Sequence, residues 1–539
     1  MTTPAIDGGE PGREPLALGI ELGSTRIKAC AIDRDGSIVA TGEHAWENRL
    51  VDGHWSYGLD AAVAGVQAAY AGVAERLAER SGARPDRFSG IAVSGMMHGY
   101  LAFDADDRLL TPFRTWRNTS AAPAAELLSD ALGVTIPRRW SAAHLLQAVL
   151  DDEPHVAHVR RLATLSGWLH RLLTGRHVLG VGDASGMFPL DVDGAWDAGL
   201  LERFDALLAE RSRPLRLVEL LPEPLRAGED AGTLTAEGAA LLDPTGSLQP
   251  GAPLAPPEGD AGTGMVATGA VRPRTGNVSV GTSIFAMVVL EGPLQGRHTG
   301  IDLVATPAGA PVAMVHCNNG SAELGAWAGL LAEFAAATGN AVSADEAFDA
   351  LLSRALDDDA PAPLAYGLLS GEPVAGVADG RPVLVRGADV PLTLAGLGRA
   401  QLFGVFAALS IGMRALTERG VRIDRMLAHG GLMRAGAIAR RALAAALDVP
   451  VATAASAGEG GAWGAALLAS YRAAVADGSA AGTELADWLD AGPFAGLALE
   501  SQGPEPEQVA AFAAQLERWR AGLPIVDAAA AALPGGSGS

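Results

Sequence analysis

The sequence predicts an α/β protein whose two halves share one design. Each half contains an apolar strand, a turn of glycine and hydroxyl residues, and a second apolar strand, in residues 16–33 and 277–290. The two turns, residues 23–25 and 281–283, are separated by about half of the 539-residue chain. Internal similarity at that spacing is typical of a duplicated domain. Strands that alternate with helices after each hairpin complete the α/β pattern.

Hydrophobic spacing predicts the remaining elements, because period-two segments favour strands and spacing of three or four favours helices. In the first half we expect a β-meander, a helix, a buried strand and a helix capped by Thr164 and stopped by Gly175, over residues 16–41, 59–80, 88–94 and 163–174. In the second half we expect helices over 323–336, 394–418, 434–447 and 458–471, with strands over 423–429 and 449–453.

The stretch 221–264 is rich in proline, glycine and acidic residues, which predicts a boundary between the halves. The predicted domains are therefore 16–264 and 265–525. Residues 1–15 and 526–539 are predicted to be disordered, because both ends are rich in small residues, with proline and glycine.

Composition limits the functional classes. The net charge of −22 argues against binding to nucleic acid or to an anionic membrane. Two cysteines cannot form a disulfide framework or a cysteine zinc site. No signal-peptide pattern and no apolar run of about 18 residues is found, so a cytoplasmic enzyme is predicted.

The two turns are candidate phosphate sites. Glycine lets the backbone approach a ligand, successive amides can point at an anion, and hydroxyls such as those of Ser24, Thr25 and Thr282 add donors. An ordinary hairpin is the alternative for either turn alone. A further glycine pair, Gly430 and Gly431, follows a predicted strand and suits either a flat ring lying on bare backbone or a tight turn.

Two other segments suit a polyol. His98 lies between glycines after a buried strand, where it can meet a substrate hydroxyl or serve as a structural histidine. Trp116 provides a flat apolar face and Asn118 a hydrogen-bonding group, and together these can recognise a sugar. The alternative interpretation of this segment is a core tryptophan beside a helix cap.

Phosphoryl transfer to an alcohol needs a carboxylate that accepts the hydroxyl proton. Asp183, flanked by glycine and serine in a segment with little periodicity, is the candidate base on a loop, or else a turn former. Composition does not rank it above Asp191, Asp193 or Asp197. The segment 260–264, Asp-Ala-Gly-Thr-Gly, either contacts a ligand or forms an interdomain turn.

The order of these motifs resembles that of the FGGY family of carbohydrate kinases, from about residue 16 to residue 471. The segments that carry the resemblance are GIELGSTRIKA, SGMMHG, GDASGMFPLD, VSVGTSIF, HGGLMRAG and GEGGAWGAALLA. The resemblance implies two duplicated actin-like, ribonuclease-H-like ATPase domains that flank a catalytic cleft. It also implies that the protein uses ATP and Mg²⁺.

Roles carried over from the resemblance are expectations for particular residues. Asp183 would be the catalytic base, and the sugar would contact Met97, His98, Trp116 and Asn118. ATP would contact Gly23, Ser24, Thr25, Lys28, Gly281, Thr282, Gly430 and Gly431. Glu21 stands where the family usually has Asp and would hold Mg²⁺ through water. Asn118 also replaces an Asp of the family, so the sugar itself stays open.

The sequence therefore predicts an ATP-dependent kinase that phosphorylates the terminal 5-hydroxyl of a ketopentose, with D-xylulose first and L-ribulose as the competing substrate. Another polyol or sugar kinase of the same fold is the second prediction. An actin-like nucleotide-switched protein and a sugar-binding pseudokinase disabled by Glu21 are the non-enzyme alternatives. The expected partner is a small-molecule sugar, and a homodimer is left open.

Overall fold

The computed structural model describes residues 16–533 except 212–214, 295, 299, 357–361, 455–459 and 497–498. The chain forms two compact units. The first comprises residues up to Ala124, Arg138–Ala267 and Gly460–Ala495. The second comprises Ala125–Pro137, the segment from Thr268 up to the gap at 455–459, and the described residues from 499.

Strands and helices are numbered here in chain order. The strands are β1 (Ala17–Leu22), β2 (Arg26–Ile32), β3 (Ile38–Ala45), β4 (Arg49–Val51), β5 (His54–Ser56), β6 (Gly90–Gly95), β7 (Leu101–Phe103), β8 (Arg161–Ala163), β9 (Val178–Gly180), β10 (Glu223–Leu225), β11 (Glu258–Gly259), β12 (Thr275–Val280), β13 (Ile284–Val289), β14 (Ile301–Ala305), β15 (Pro311–Cys317), β16 (Leu364–Tyr366), β17 (Val383–Val385), β18 (Arg425–His429), β19 (Val451–Ala454) and β20 (Leu499–Gln502). The helices are α1 (Leu59–Ser81), α2 (Ala122–Leu132), α3 (Ser141–Leu150), α4 (Leu165–Thr174), α5 (Val181–Ala184), α6 (Ala198–Ala209), α7 (Ala236–Leu242), α8 (Asp260–Thr268), α9 (Ala322–Ala337), α10 (Ala344–Leu352), α11 (Leu394–Thr417), α12 (Ala437–Leu447), α13 (Gly460–Ala476), α14 (Leu485–Ala491), α15 (Pro506–Ala521) and α16 (Leu523–Ala532).

The sheet of the first unit has the order β11-β6-β1-β2-β3. Strands β11, β6 and β1 are parallel, and β2 and β3 continue as the predicted antiparallel meander. Helix α1 packs on the face that carries Ile27, whereas α13 packs on the opposite face, against Gly19. Because both faces of the sheet are covered, its strands are buried and their sequences are nearly continuous apolar runs.

The sheet of the second unit repeats this arrangement. Its order is β14-β15-β13-β12-β18-β19-β20, with β12, β18 and β19 parallel and β13 and β15 continuing as antiparallel strands. The predicted duplication is therefore present in the strand topology of both units. Helix α11 has the length and hydropathy of a membrane span, but most of its apolar stretch is buried in the core of this unit.

Most predicted elements are confirmed, including both hairpins and helix α4. Its N-cap Thr164 accepts a hydrogen bond from the Gly167 amide, and Gly175 ends it in the left-handed conformation. The glycine needs φ of 76° at this position, which an L side chain rarely adopts.

Three predictions about organisation differ from the structure. The second predicted domain is not one unit, because α13 packs on β1 and β6 of the first unit. The tail predicted to be disordered from residue 526 is helical as far as Ala532, where Val526 is buried. The stretch 260–264 is the start of helix α8 and not an interdomain turn. Residues 1–15, 534–539 and the first two residues of GEGGAWGAALLA lie outside the described residues.

Candidate active site

The parallel strands of the first unit bring three of the candidate segments to one edge of the sheet. Strand β1 leads into the turn at Gly23, β6 leads into the loop at Met96, and β11 leads directly into Asp260. The strands are in register at this edge, since Leu22 pairs with Gly95 and Gly95 pairs with Gly259. The carboxyl edge of a parallel sheet is where such folds bind ligands.

The turn of the first hairpin has the geometry of an anion site. The Gly23 amide closes the turn on the Arg26 carbonyl at 3.0 Å. Ser24 is partly exposed and Thr25 is exposed. Among the residues that the structure describes, no acceptor is bonded to the amide of either residue. Two neighbouring amides and two hydroxyls are therefore open to an anionic ligand.

The second turn is built in the same way within its own unit. The Gly281 carbonyl accepts hydrogen bonds from the Ser321 amide at 2.8 Å and its hydroxyl at 2.9 Å, and the Thr282 carbonyl accepts one from the Gly320 amide at 2.8 Å. Gly430 lies against Val280, where a Cβ would come within 2.5 Å of the Val280 carbonyl oxygen. The structure thus brings exposed Gly430 and Gly431 next to the second turn.

The loop after β6 holds Met97 and His98 close to Asp260. Both side chains are about 95% buried, and His98 has φ of 69°. The Met97 amide donates to Asp260 Oδ1 at 3.1 Å, and His98 Nδ1 lies 3.2 Å from the Gly186 carbonyl. Gly186 leaves room for this contact, since a Cβ there would lie 2.6 Å from His98 Nδ1. The predicted sugar loop is therefore fixed by hydrogen bonds at both of these residues.

Asp183 was predicted to be a base on a loop, but it lies in the one-turn helix α5 and is fully buried. Its Oδ2 accepts a hydrogen bond from the Ser166 hydroxyl at 2.6 Å, and its Oδ1 is buried with no hydrogen-bond partner among the described residues. Burial raises the pKa of Asp183 to about 7, against the hydrogen bonds from Ser166 and Thr164. A substrate hydroxyl cannot reach this carboxyl in the structure, which argues against Asp183 as the direct proton acceptor.

Asp260, the first residue of α8, is an accessible carboxylate at this edge. The residue is partly exposed, and partial burial of its carboxyl group raises the pKa of Asp260. Its Oδ1 accepts from the amides of Met97 and Ala261, whereas among the described residues nothing is bonded to Oδ2. A carboxylate that is fixed by hydrogen bonds to one oxygen and has no bonded partner on the other oxygen is suited to accept a proton. In the sequence analysis Asp260 appears only within the segment 260–264, with a ligand contact and an interdomain turn as the two alternatives, because strand β11 is two residues long and gives no periodic signal.

Glu258 is a buried neighbour of Asp183 that the sequence did not indicate. It is 98% buried, and its carboxyl group accepts from the amides of Gly182 at 3.2 Å and Asp183 at 2.9 Å. Burial and the nearby Asp183 raise its pKa well above the ordinary value. Gly180 and Gly182 leave the space that this carboxyl occupies, since a Cβ on either would lie within 2.3 Å of its oxygens. Glu258 therefore fixes α5 beneath Asp260.

Trp116 and Asn118 have different surroundings. Trp116 is 38% exposed and free to offer its ring to a ligand. The Asn118 amide is 95% buried and bonded on both sides to the backbone of Trp55: Oδ1 accepts from its N–H at 2.8 Å, and Nδ2 donates to its carbonyl at 2.9 Å. Nδ2 also donates to the Thr115 carbonyl. Asn118 is thus a structural bridge, and its contact with the sugar stays a prediction.

Glu21 and Lys28 face each other across β1 and β2. Glu21 Oε2 accepts from the Ala462 amide at 3.1 Å, so its carboxylate caps the N-terminus of α13. Gly461 allows this approach, since a Cβ there would lie 2.3 Å from Glu21 Oε1. The part of the chain that the structure describes has no cluster of three or more potential metal ligands. One partly exposed carboxylate beside the first turn fits Mg²⁺ held through water, because Mg²⁺ commonly needs only one or two protein carboxylates plus substrate phosphates.

The raised pKa of Asp183 predicts a stability that falls with pH. The folded protein keeps a proton on Asp183 up to about pH 7, whereas an unfolded aspartate releases it near pH 4. The contribution is complete below pH 4 and is lost as pH rises towards 7, by about 4 kcal/mol. We expect the unfolding free energy of Asp183→Asn, relative to wild type, to rise by that amount between pH 4 and 7 in denaturant titrations. A constant difference would contradict the buried, protonated carboxyl.

Comparison with known proteins identifies the family of the chain. Residues 16–246 match the N-terminal domain, and residues 276–473 the C-terminal domain, of the FGGY family of carbohydrate kinases. A xylulose kinase of Haemophilus influenzae is 27% identical over 221 residues, which cover 39% of this chain and 43% of that protein. Matches to two further xylulose kinases cover 52% and 54% of their lengths, so the chain spans about half the length of the curated relatives it matches.

Solved structures show the same fold along nearly the whole chain. A crystal structure described as a xyloylose kinase from Brucella ovis has a TM-score of 0.76 at 22% identity and covers 95% of this chain and 100% of that one. A gluconate kinase from Lactobacillus acidophilus has a TM-score of 0.74 at 18% identity, covering 96% and 98%. At these identities the likeness concerns the fold alone, and the fold is the two-domain kinase architecture predicted from the sequence. With both family domains matched, the chain belongs to the FGGY family of carbohydrate kinases.

Proposed function

We propose that this protein is an ATP-dependent kinase that phosphorylates the terminal hydroxyl of a ketopentose, with D-xylulose as the preferred substrate. The observation that carries the proposal is the shared sheet edge, where an open phosphate turn, the Met97–His98 loop and the Asp260 carboxylate follow neighbouring strands. The name xylulose kinase, shared by the three curated relatives above, supports the choice of sugar. A cytoplasmic location is part of the proposal, and the homodimer stays a prediction.

Each residue has a defined task in this proposal. Asp260 Oδ2 accepts the proton of the attacking hydroxyl while Oδ1 stays bonded to the Met97 amide. Within the first unit, the open amides and hydroxyls of Ser24 and Thr25 are the proposed phosphate contacts. Within the second unit, the proposed nucleotide contacts are Gly281, Thr282, Gly430 and Gly431. Mg²⁺, when bound, neutralises phosphate charge during transfer. Met97 and His98 orient the sugar, and Trp116 offers it an apolar face.

An ATP-consumption assay over ketopentoses, pentitols, aldoses and gluconate tests the proposal. We expect sugar-dependent turnover, highest with D-xylulose, and little ATP hydrolysis without sugar. Highest turnover with L-ribulose or another polyol would keep the kinase and replace the substrate. Fast ATP hydrolysis that no sugar stimulates would favour an actin-like nucleotide switch, and sugar binding without turnover would favour a pseudokinase.

Variants of Glu21 separate its helix-capping role from the proposed metal role. Glu21→Gln keeps an acceptor oxygen for the Ala462 amide but removes the charge, so we expect near-normal stability and a higher Mg²⁺ concentration at half-maximal rate. Glu21→Ala removes both and should also cost about 0.5–2 kcal/mol of unfolding free energy, the usual effect of losing a cap. A Glu21→Gln enzyme with wild-type Mg²⁺ dependence would show that Glu21 is only a cap.

A further inference from the structure

The carbonyl groups of the first phosphate turn are held by a pair of aromatic residues. Trp46 Nε1 donates to the Gly23 carbonyl at 2.7 Å, and the Tyr57 hydroxyl donates to the Ser24 carbonyl at 2.6 Å. The Trp46 amide donates to the third carbonyl, that of Thr25, at 3.2 Å. A peptide carbonyl and the following amide point in opposite directions. Holding these carbonyls on one side therefore turns the amides of Ser24 and Thr25 to the other.

The two aromatic residues form one rigid support. Trp46 is 7% exposed and Tyr57 is 3% exposed, and their rings pack with centroids 4.3 Å apart. Trp46 directly follows β3, and Tyr57 directly precedes the Gly58 N-cap of α1. Both residues are thus anchored by regular elements. Burial raises the pKa of the Tyr57 hydroxyl, which stays a hydrogen-bond donor at neutral pH.

The second turn achieves the same arrangement without side-chain rings. Its carbonyls, at Gly281 and Thr282, accept from the backbone amides of Gly320 and Ser321, which come just before α9. Backbone amides are present whatever the side chain. The first turn instead depends on Trp46 and Tyr57, so its geometry can be changed by substitution.

We use the name aromatic strap for residues 46–57, which include β4 and β5. The aromatic strap also contacts the segment around Trp116. Asn118 binds both backbone groups of Trp55, and the Thr115 amide also donates to the Trp55 carbonyl at 3.2 Å. The guanidinium of Arg117 lies 4.8 Å from the centre of the Trp55 ring. The strap is therefore bonded to the phosphate turn at one end and to the segment around Trp116 at the other.

We propose that Tyr57 and Trp46 are positioning residues that hold the Ser24 and Thr25 amides towards the phosphate end of the nucleotide, and that Asn118 supports them through Trp55. The inference rests on the proposed function, since it assigns a task within the same site. It gives Asn118 a role that its buried position allows, in place of a direct contact with the sugar.

Tyr57→Phe tests the proposal with the loss of one oxygen atom. We expect KM for ATP to rise about three- to tenfold, the usual effect of one hydrogen bond, with KM for the sugar unchanged. The dissociation constant of a non-hydrolysable ATP analogue, measured by calorimetry without sugar, should rise by the same factor. Trp46→Phe should act in the same direction, and Asn118→Ala combined with Tyr57→Phe should cost less than the product of their separate effects.

Tyr70→Phe is the matched control. Tyr70 is 1% exposed in α1, and its hydroxyl has no hydrogen-bond partner among the described residues, so its removal should leave both KM values unchanged. A wild-type enzyme without sugar-dependent ATP turnover would overturn the proposed function. Sugar-dependent turnover in wild type together with unchanged nucleotide affinity in Tyr57→Phe would overturn only the role of the strap.

Discussion

Asp260→Asn is expected to lower kcat for sugar phosphorylation by about two to four orders of magnitude, the range for loss of a general base. The asparagine can keep the acceptor oxygen that binds the Met97 amide, so the loop and the sugar affinity should change little. Only the proton-accepting oxygen is lost. Steady-state kinetics with saturating ATP, together with sugar binding measured by calorimetry, separate the two effects.

Asp183→Asn is the control, because it makes the same change on the carboxyl that the sequence alone favoured. Asp183 has no exposed surface, and an asparagine can still accept from the Ser166 hydroxyl. We therefore expect its kcat to stay within about tenfold of wild type, since only the support beneath Asp260 is altered. The reverse result, with Asp183→Asn inactive and Asp260→Asn active, would return the role of base to Asp183.

Gly19→Ala is expected to destabilise the first unit by about 3 kcal/mol or more, because the new methyl group has no space. An added Cβ would lie 2.2 Å from the Ala462 carbonyl oxygen and 2.3 Å from the Ala466 amide nitrogen. These are backbone atoms of α13, which cannot turn aside as a flexible side chain can. Helix α13 would have to move away from β1, and Glu21 would lose its contact with the Ala462 amide. Scanning calorimetry should show the lower melting transition.

The same substitution at Gly325 should have the opposite sign. Gly325 lies on the exposed face of α9, where a Cβ added to it would have no neighbouring atom within 4 Å, so alanine adds helix propensity of up to about 1 kcal/mol without a clash. A Gly19→Ala protein with the same melting temperature as wild type would show that α13 does not pack this closely on β1.

Local sequence determined the secondary structure that carries the site. Both hairpins, the strand before the Met97 loop and helix α4 with its Thr164 and Gly175 ends could be predicted, since apolar period, caps and turn residues act within a few positions of the chain. The order of motifs was sufficient to indicate the family and its fold.

Tertiary structure decided which of the candidate side chains are accessible. Asp183 and Asp260 are both acidic residues next to glycine in the sequence, but Asp183 is enclosed by Ser166 and Glu258, whereas Asp260 keeps one oxygen open. The Asn118 side chain is hydrogen-bonded to the Trp55 backbone. The Glu21 carboxylate is hydrogen-bonded to the N-terminal turn of a helix that begins more than 400 residues later. The sequence by itself thus determined the secondary-structure elements, their order and the types of functional group present at the site. Exposure and hydrogen-bond partners depend on contacts between segments far apart in the chain, and no local pattern encodes those contacts.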